Sequence, residues 1–530
     1  MDGTGLGTGG PVEGPEARPA PYRRAIAAVL AVALAYRLFG LTGDMHFDPT
    51  IYAQNAYNLL QGTFTLKTGS WYAHRLPVFV PLVPLYALFG VGAWTSRLWP
   101  VLLSLAQVAL VLWLGRRLFD RTTAILAGIL TALTPLDAVY GSVLQPDTVM
   151  AAFLTAAAGF WIAGLERDTR HPRAYPFLSG LCFAVAVVAR ENAAVLVVFY
   201  LSSLLWRRPR ARTILDAALG GVLVIAPLLA VYAVTTGDPF FRVRALAEAY
   251  GAPVMQEGSR FGFYPSLLRR VRHTATGLGP ALFALGILGG LLRPNRSRTW
   301  LLLWALPILL FLQFGSMSVT RYIPILKRER FLMPLTAPLA LLTASVILQW
   351  TRGIVRLVLR DARAGRRRAV STAVISVVVA ALAWDSFLIV RDRRRQGAET
   401  FQAFQSVIRV MARAPALPVL FDHWRTGHRF SYYLGFRDGA DFYRGGDDRG
   451  RMGHAGSFGG SRLGYLCWYP DPARVPHALI VLDDDALEQV RTADPLVGTY
   501  VRGEIPAYAF APPATWRPLG RFGTFRVFEN

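Results

Sequence analysis

The chain has 530 residues, of which 53% are hydrophobic and only 17% are charged. This composition favours membrane spans over soluble domains. The formal net charge of +24 would suggest a nucleic-acid partner in a soluble protein, but the basic residues stand mainly between apolar runs. Because the positive-inside rule produces that pattern, we expect contact with anionic lipid and no nucleic-acid partner.

The N-terminal 1–22 segment is rich in Gly and Pro and predicts a disordered cytoplasmic tail. The apolar run after Arg23 and Arg24 could be a signal peptide, but the many later spans favour an uncleaved first helix. Nine runs are each long enough to cross a hydrocarbon core of roughly 30 Å as a helix. They lie at about 25–41, 94–114, 123–139, 147–165, 213–234, 275–292, 300–317, 331–350 and 370–390.

Two further apolar segments are too irregular for a simple span. Residues 75–90 contain three prolines, so we place them at the membrane interface rather than across it. Residues 176–206 predict a short helical hairpin with Arg190, Glu191 and Asn192 at its outer tip. This topology gives about eleven crossings in the plasma membrane, with a cytoplasmic N-terminus and an extracytoplasmic C-terminal part.

We therefore predict a transmembrane domain at 23–392, with 42–75 as its first extracytoplasmic loop, and a small soluble α/β domain at 396–530. The segment RDRRRQGAE, at 391–399, looks like a linker between them. In the latter, LPVLFD and HALIVLDD predict strands, and TGHRFSYYLGF and DALEQVRT predict helices. The final RPLGRFGTFRVFEN predicts a hairpin. The glycine-rich segment 443–462 predicts loop or disorder.

Three polar residues, Asp44, His46 and Asp48, follow the first apolar run. Their spacing suits a divalent metal or a general base, or else they are solvated loop residues, with Asp48 as the N-cap of a helix that begins near Thr50. Asp147, in VLQPDTVMAAF, poses the same choice between an N-cap and a functional acid that faces the bundle. Local sequence leaves both alternatives open.

A basic cluster on the outer side breaks the positive-inside rule and suggests a bound anion. Its members are Arg321, Lys327, Arg328 and Arg330. Guanidinium groups bind phosphate in a bidentate manner, but contact with lipid headgroups is an alternative for this cluster and for Arg75. Arg190 and Glu191, amid apolar sequence, predict a structural ion pair or interfacial snorkelling.

The order of these segments resembles that of the GT-C glycosyltransferases, especially the protein mannosyltransferase and aminoarabinose transferase relatives of the glycosyltransferase family 39 or 83 type. FDPTIYAQNAYNLLQG is similar to their Asp-Glu-x-x-Tyr segment, and HRLPVFVPLVPLYALFG to their proline-bearing juxtamembrane helix. LTPLDAVYGSVLQPDTVMAAF looks like the second acidic loop, and RERFLMPLTAPLA like the Arg-aromatic-x-x-Pro segment. Residues 417–443 also look like the small extracytoplasmic domain of the aminoarabinose transferases.

The resemblance implies a GT-C fold and transfer of a sugar from a polyprenyl phosphate to a hydroxyl of a lipid, glycan or protein, with inversion, on the extracytoplasmic face. It implies no certain cofactor, although a divalent metal is possible. The residues it assigns are the catalytic acids Asp48, as general base, and Asp147; the donor-phosphate ligands Arg75, Lys327 and Arg330; and the supporting residues Asp44, His46 and Tyr52.

One position departs from the family pattern, because Pro49 stands where the family has Glu. This departure leaves open a GT-C-like protein that only binds. A transporter or flippase of lipid-linked sugars is the other alternative, although such proteins place polar groups near the bilayer midplane, often in repeated halves. No Walker-type phosphate loop is present in the sequence, so ATP-driven transport has no support.

Overall fold

The structure is a computed structural model that describes residues 19–436 and 462–530, apart from 69, 167, 168, 170, 252–261, 269–274, 317–321, 323, 326, 361, 470 and 492–504. The helices of this part are α1 (Pro19–Phe39), α2 (Phe47–Leu60), α3 (Leu76–Phe79), α4 (Leu82–Phe89), α5 (Ala93–Leu118), α6 (Arg121–Leu133), α7 (Pro135–Tyr140), α8 (Pro146–Gly164), α9 (Ala174–Ala189), α10 (Leu196–Arg207), α11 (Ala211–Thr236), α12 (Phe241–Gly251), α13 (Phe263–Leu267), α14 (Gly279–Leu292), α15 (Arg296–Phe314), α16 (Met333–Val358), α17 (Ala364–Arg413), α18 (Trp424–Tyr433) and α19 (Asp484–Arg491). The strands are β1 (Val419–Phe421), β2 (Leu463–Tyr465), β3 (Leu479–Asp483), β4 (Arg517–Phe522) and β5 (Phe525–Glu529). Short 3₁₀ helices span Glu191–Val195, Glu329–Leu332, Leu466–Trp468, Pro472–Arg474 and Ala507–Ala509.

Six helices in the described part of the chain are long and apolar enough to cross a membrane. They are α5, α8, α11, α15, α16 with the 3₁₀ turn before it, and α17. The most apolar stretch of α16 is 94% buried and that of α8 is 83% buried, against 6% for α11 and 17% for α17. Therefore α8 and α16 form the centre of the bundle, whereas α11 and α17 present apolar side chains outward, as a bilayer requires.

The predicted fold class, a polytopic helical membrane protein with a small C-terminal α/β domain, is confirmed. The proline-rich 75–90 segment is broken into α3 and α4, and α9 and α10 form the predicted hairpin, with the 3₁₀ turn between them. At Gly180 of α9 an added Cβ would lie 1.8 Å from the carbonyl oxygen of Ala217 in α11. Only glycine allows these two backbones to approach so closely. The count of about eleven crossings stays a prediction.

Two predicted boundaries differ from the structure. The first helix already begins at Pro19, within the predicted 1–22 tail, whose residues 1–18 lie outside the described part. The linker-like segment 391–399 lies inside α17, which is 50 residues long. Its Arg, Gln, Glu and Ala residues are strong helix formers, and the Nε of Arg395 lies 2.9 Å from Glu399, one turn later.

The C-terminal domain contains a five-stranded sheet in the order β2-β1-β3-β5-β4. Here β1 is parallel to β2 and β3, while β5 is antiparallel to β3 and β4. The two predicted strands, the two predicted helices and the terminal hairpin are all present. The three-residue β2 follows the glycine-rich segment and was not predicted, and 443–461 lies outside the described residues. Phe404 and Val407 of α17 are fully buried in the core of this domain.

Candidate active site

Three chain segments meet where the C-terminal domain packs on the helical bundle. Asp48 lies in the first turn of α2, Asp147 in the first turn of α8, and Arg330 in the 3₁₀ turn that precedes α16. Carboxylates are stabilised at these positions by the helix dipole. The N-cap alternative is wrong for both acids, because His46 and Gln145 occupy the N-cap positions and both aspartates contact side chains of other elements.

Arg330 connects the two acids. Its Nη2 donates to Oδ2 of Asp48 at 3.0 Å, and its Nε lies 3.5 Å from Oδ2 of Asp147. Its Nη1 donates to the side-chain oxygen of Gln145 at 3.3 Å. The sequence singled out Asp48, Asp147 and Arg330 from distant segments, and in the structure both acids contact the guanidinium group of Arg330.

The remaining carboxylate oxygens have partners that the sequence did not reveal. Tyr72 donates its hydroxyl proton to Oδ1 of Asp48 at 2.8 Å. Arg190, at the tip of the α9–α10 hairpin, donates to Oδ1 of Asp147. The side chain of Asp147 is fully buried, whereas that of Asp48 is 30% exposed. Asp48 is therefore the acid that a substrate can reach.

The ionisation of Asp48 depends on these contacts. Burial would raise the pKa of its carboxyl, but the positive charge of Arg330 and the hydrogen bonds from Tyr72 and Arg330 outweigh that effect and lower the pKa below its usual value. Asp48 is consequently a carboxylate at neutral pH, as a proton acceptor must be.

A second ion pair lies beside this centre. Nη2 of Arg75 is 3.1 Å from Oε2 of Glu191, and its Nη1 donates to the hydroxyl of Tyr52 at 3.1 Å. The Tyr52 ring is fully buried and contacts the Tyr72 ring edge to face, with centroids 5.3 Å apart. Arg75 is therefore connected to Asp48 by a chain of contacts, from Arg75 to Tyr52, from Tyr52 to Tyr72 and from Tyr72 to Asp48.

The prediction for Arg190 and Glu191 needs refinement, because each has a partner from another segment. Arg190 pairs with Asp147, and Glu191 pairs with Arg75 and lies 3.8 Å from Arg242. Adjacent residues around a helix end point in different directions, so they reach different parts of the site. Two adjacent charged residues amid apolar sequence were the signal that could have placed both of them in the candidate site.

Lys327 lies away from the two acids. Its Nζ donates to the backbone oxygen of Gln313 at 2.6 Å, at the end of α15, and is 5.3 Å from the centre of the Tyr264 ring. The predicted cluster is therefore split, because Arg330 contacts Asp48 and Lys327 caps a helix C-terminus. Arg321 lies outside the described residues.

Asp44 and His46 do not join Asp48. Asp44 is buried and accepts hydrogen bonds from Arg429 at 2.9 Å and from Tyr433 at 3.2 Å, both in α18. His46 lies 3.6 Å from Asp44 and its side chain is 73% exposed. Asp44 thus attaches the first loop to the C-terminal domain. Among the described residues, no group of three His, Cys, Asp or Glu is placed to hold a metal ion.

Helix α18 also forms one wall of the site. Thr50, two residues after Asp48, lies 3.0 Å from Nδ1 of the buried His428. Tyr432 hydrogen-bonds the hydroxyl of Ser96 in α5 at 2.9 Å. The small domain is therefore fixed against α2 and α5 by specific polar contacts as well as by aromatic packing.

A narrow cavity adjoins the buried ion pair. Asp147, Arg190 and Asn192 provide its polar wall, and the rest is almost entirely apolar. The apolar wall comes from α8, α15 and α16 and from Val195 and Phe331. The cavity has a volume of about 10 Å³, which is room for about one water molecule beside the ion pair.

Comparisons with known proteins agree with this architecture. Residues 82–234 match the family described as dolichyl-phosphate-mannose-protein mannosyltransferase. No curated protein matches the chain by sequence.

Solved structures resemble it over most of its length. ArnT from Cupriavidus metallidurans bound to undecaprenyl phosphate has a TM-score of 0.64 at 16% identity, with 97% of this chain and 98% of ArnT covered. The arabinofuranosyltransferase AftD from Mycobacteria has a TM-score of 0.52 at 16% identity, with 96% of this chain and 40% of AftD covered. The Archaeoglobus fulgidus oligosaccharyltransferase has a TM-score of 0.51 at 14% identity, with 79% of this chain and 64% of that chain covered.

The resemblance predicted from the sequence is thereby confirmed at the level of the fold. The six long apolar helices agree with it. The chain is an integral membrane protein with the fold of the GT-C glycosyltransferases.

Proposed function

We propose that the protein is a glycosyltransferase that moves a sugar from a polyprenyl phosphate to an acceptor hydroxyl, with Asp48 as general base. The observation that supports this proposal most directly is the convergence of Asp48, Asp147 and Arg330 from three distant segments. The undecaprenyl phosphate bound by ArnT, which has the same fold, supports a polyprenyl donor.

The charge of the site supports an anionic ligand. Four arginines face three carboxylates, so the described part of the network has one excess positive charge. The arginines are Arg75, Arg190, Arg242 and Arg330, and the acids are Asp48, Asp147 and Glu191. A donor phosphate entering between Arg330 and Arg75 would be bound by charge-assisted hydrogen bonds.

The reaction uses these groups in sequence. The carboxylate of Asp48 takes the proton of the acceptor hydroxyl as that oxygen attacks the anomeric carbon. The bond between this carbon and the phosphate oxygen breaks, and the leaving phosphate keeps the electron pair beside the arginines. Attack opposite the leaving group inverts the anomeric configuration.

Donor binding also prepares the base. Without donor, Arg330 lowers the pKa of Asp48 and so weakens it as a proton acceptor. When a phosphate shares the positive charge of Arg330, the pKa of Asp48 rises towards its usual value. Asp48 thus becomes a stronger base when a leaving group is present.

Pro49 is compatible with this mechanism. It lies buried in the first turn of α2, where its ring favours the helix start that positions Asp48. The mechanism requires one base carboxylate, and Asp147 is fully buried and occupied by Arg190 and Arg330. We therefore assign Asp147 to holding Arg330 in place, rather than to proton transfer.

Transfer by purified protein, with defined polyprenyl-phosphate sugars and hydroxyl acceptors at the extracytoplasmic face of proteoliposomes, tests the proposal. We expect Asp48→Asn to lower the rate by roughly 10²-fold or more, while the matched change Asp392→Asn, at an exposed position of α17, leaves it unchanged. Full activity of Asp48→Asn would refute the role of Asp48. Movement of lipid-linked sugar across the membrane without bond cleavage would indicate a flippase instead.

A further inference from the structure

The start of α2, which contains Asp48, is held by contacts from outside that helix. His46 occupies the N-cap position, but its side chain accepts no capping hydrogen bond within the described part of the chain. The first turn of a helix has backbone N–H groups without intrahelical partners, so an uncapped start is only weakly fixed by local structure. The direction of the Asp48 carboxylate therefore depends on tertiary contacts.

Helix α18 of the C-terminal domain contacts the loop before α2. Nη2 of Arg429 donates to Oδ1 of Asp44 at 2.9 Å, and the Asp44 side chain is only 3% exposed. The hydroxyl of Tyr433, one turn later on the same face of α18, accepts the backbone N–H of Met45 at 2.7 Å. Arg97 of α5 donates to the backbone oxygen of Asp44. Contacts from two elements therefore fix residues 44 and 45.

The same helix also contacts the first turn of α2 itself. Nδ1 of the buried His428, which adjoins Arg429 in sequence, lies 3.0 Å from Oγ1 of Thr50. The His428 ring meets the Phe47 ring edge to face, with centroids 5.9 Å apart. Asp48 lies between these contacts and those of the preceding loop, so α18 holds the chain on both sides of it.

Arg429 is enclosed by the structure that it connects to the loop. Its guanidinium carbon lies 4.4 Å from the centre of the Phe404 ring, which is fully buried in α17. At Gly43, next to Asp44, an added Cβ would lie 2.5 Å from the ring of Phe401, so the loop packs directly on α17. The loop, α17 and α18 are therefore in close contact around the Asp44–Arg429 pair.

We propose that Arg429 is a positioning residue of the transfer reaction, which through Asp44 fixes the start of α2 and hence the place of Asp48 beside Arg330. This inference rests on the proposed role of Asp48 as general base. Nη2 of Arg330 donates to Oδ2 of Asp48 at 3.0 Å, and a shift of α2 by about 1 Å would break this hydrogen bond. A shift of that size at a catalytic group can lower a rate by roughly 10²-fold.

Steady-state transfer by purified full-length variants in proteoliposomes tests this role. We expect Arg429→Gln to lower kcat by roughly tenfold to 10²-fold and to leave KM for the polyprenyl-phosphate sugar within about twofold, because the proposed phosphate ligands Arg330 and Arg75 are unaltered. Arg429→Lys keeps a positive charge facing Asp44 and should keep kcat within about threefold of the unaltered protein. Arg409→Gln, at an exposed position of α17 in the same domain, is the matched control and should leave kcat unchanged.

A double-mutant cycle tests whether Arg429 acts through Asp44. Asp44→Asn combined with Arg429→Gln should lower kcat no further than the more damaging single change, because both changes remove the same contact. Losses that multiply would overturn this route. Tyr433→Phe removes only the hydroxyl that binds Met45 and is a milder variant, which should lower kcat by about threefold.

Hydrogen exchange of residues 43–52, measured by mass spectrometry, follows the start of α2 without any transfer assay. We expect exchange there to be roughly tenfold faster in Arg429→Gln and unchanged in Arg409→Gln, with melting temperatures showing that both variants are folded. Unchanged exchange, unchanged kcat or an equal loss in Arg409→Gln would overturn the proposal. Full activity of Asp48→Asn would instead refute the proposed function, and the exchange result would still decide whether Arg429 holds α2.

Discussion

Two buried aspartates of the same bundle have very different surroundings. Asp147 is fully buried between Arg190 and Arg330. Asp137, in α7, is 1% exposed; its Oδ1 accepts a hydrogen bond from Thr336 at 3.3 Å, and within the described part of the chain its Oδ2 has no hydrogen-bond partner.

The contrast shows what distinguishes the candidate site from the rest of the interior. A charge is costly in a low-dielectric interior unless partners compensate for lost hydration. Asp147 has two guanidinium partners, whereas Asp137, among the residues that the structure describes, has a hydroxyl partner and no ion pair. Burial of an acid is therefore not by itself a sign of catalysis, and the cations around it are the better indicator.

The largest expected effect concerns stability. Asp147→Asn leaves Arg190 and Arg330 facing a neutral side chain and should lower the free energy of unfolding by about 3 kcal/mol or more, as for a broken buried ion pair. Asp137→Asn should change it less, by about 1 kcal/mol, because it breaks no ion pair and affects one hydrogen bond of 3.3 Å. Thermal unfolding of both variants in detergent compares the two sites, and equal losses would contradict the contrast.

Removing the shared cation should act mainly on the proposed reaction. Arg330→Ala is expected to lower the transfer rate by about 10²-fold, since the leaving phosphate loses a charged hydrogen-bond donor. Arg296→Ala, exposed at the start of α15, is the matched control and should leave transfer unchanged. A similar loss in the two variants would indicate general contact with lipid rather than binding of the donor phosphate.

The smallest effect is expected at Lys327. Because its ammonium group is held by the backbone oxygens of Gln313 and Leu312, Lys327→Ala should reduce transfer by only about threefold. The comparison with Arg330→Ala separates the two members of the basic cluster. A loss of the same size in both variants would show that Lys327 turns towards the donor during the reaction.

The sequence predicted the residues of the candidate site more completely than the contacts between them. Asp48, Asp147 and Arg330 were chosen because each lies in a segment that resembles a family motif, and these segments follow one another in the same order as in the family. The structure brings the three residues together. Tyr72 has no local signal, because a tyrosine in a polar loop has many possible partners. Arg190 was recognised as unusual, but its partner was not.

Local pattern also misjudged some roles. Asp44 was grouped with Asp48 because the two are close in sequence, yet the structure directs Asp44 towards Arg429 in a domain almost 400 residues away. The charged segment at 391–399 suggested a linker, and it is instead the interior of α17. In both cases the deciding contacts come from segments remote in the chain.

By itself, the sequence determined the apolar spans, the proline-broken 75–90 segment, the principal strands of the C-terminal domain and the helix starts at which the acids lie. These features depend on hydrophobicity, periodicity and backbone restrictions, which are local properties of the chain. Only the tertiary structure decided that Arg330 joins Asp48 to Asp147, that Arg190 completes this cluster and that Asp137 has no ion pair with any residue the structure describes. Those outcomes depend on which charges packing brings within a few ångströms of one another, because electrostatic compensation in a dry interior is short in range and specific in geometry.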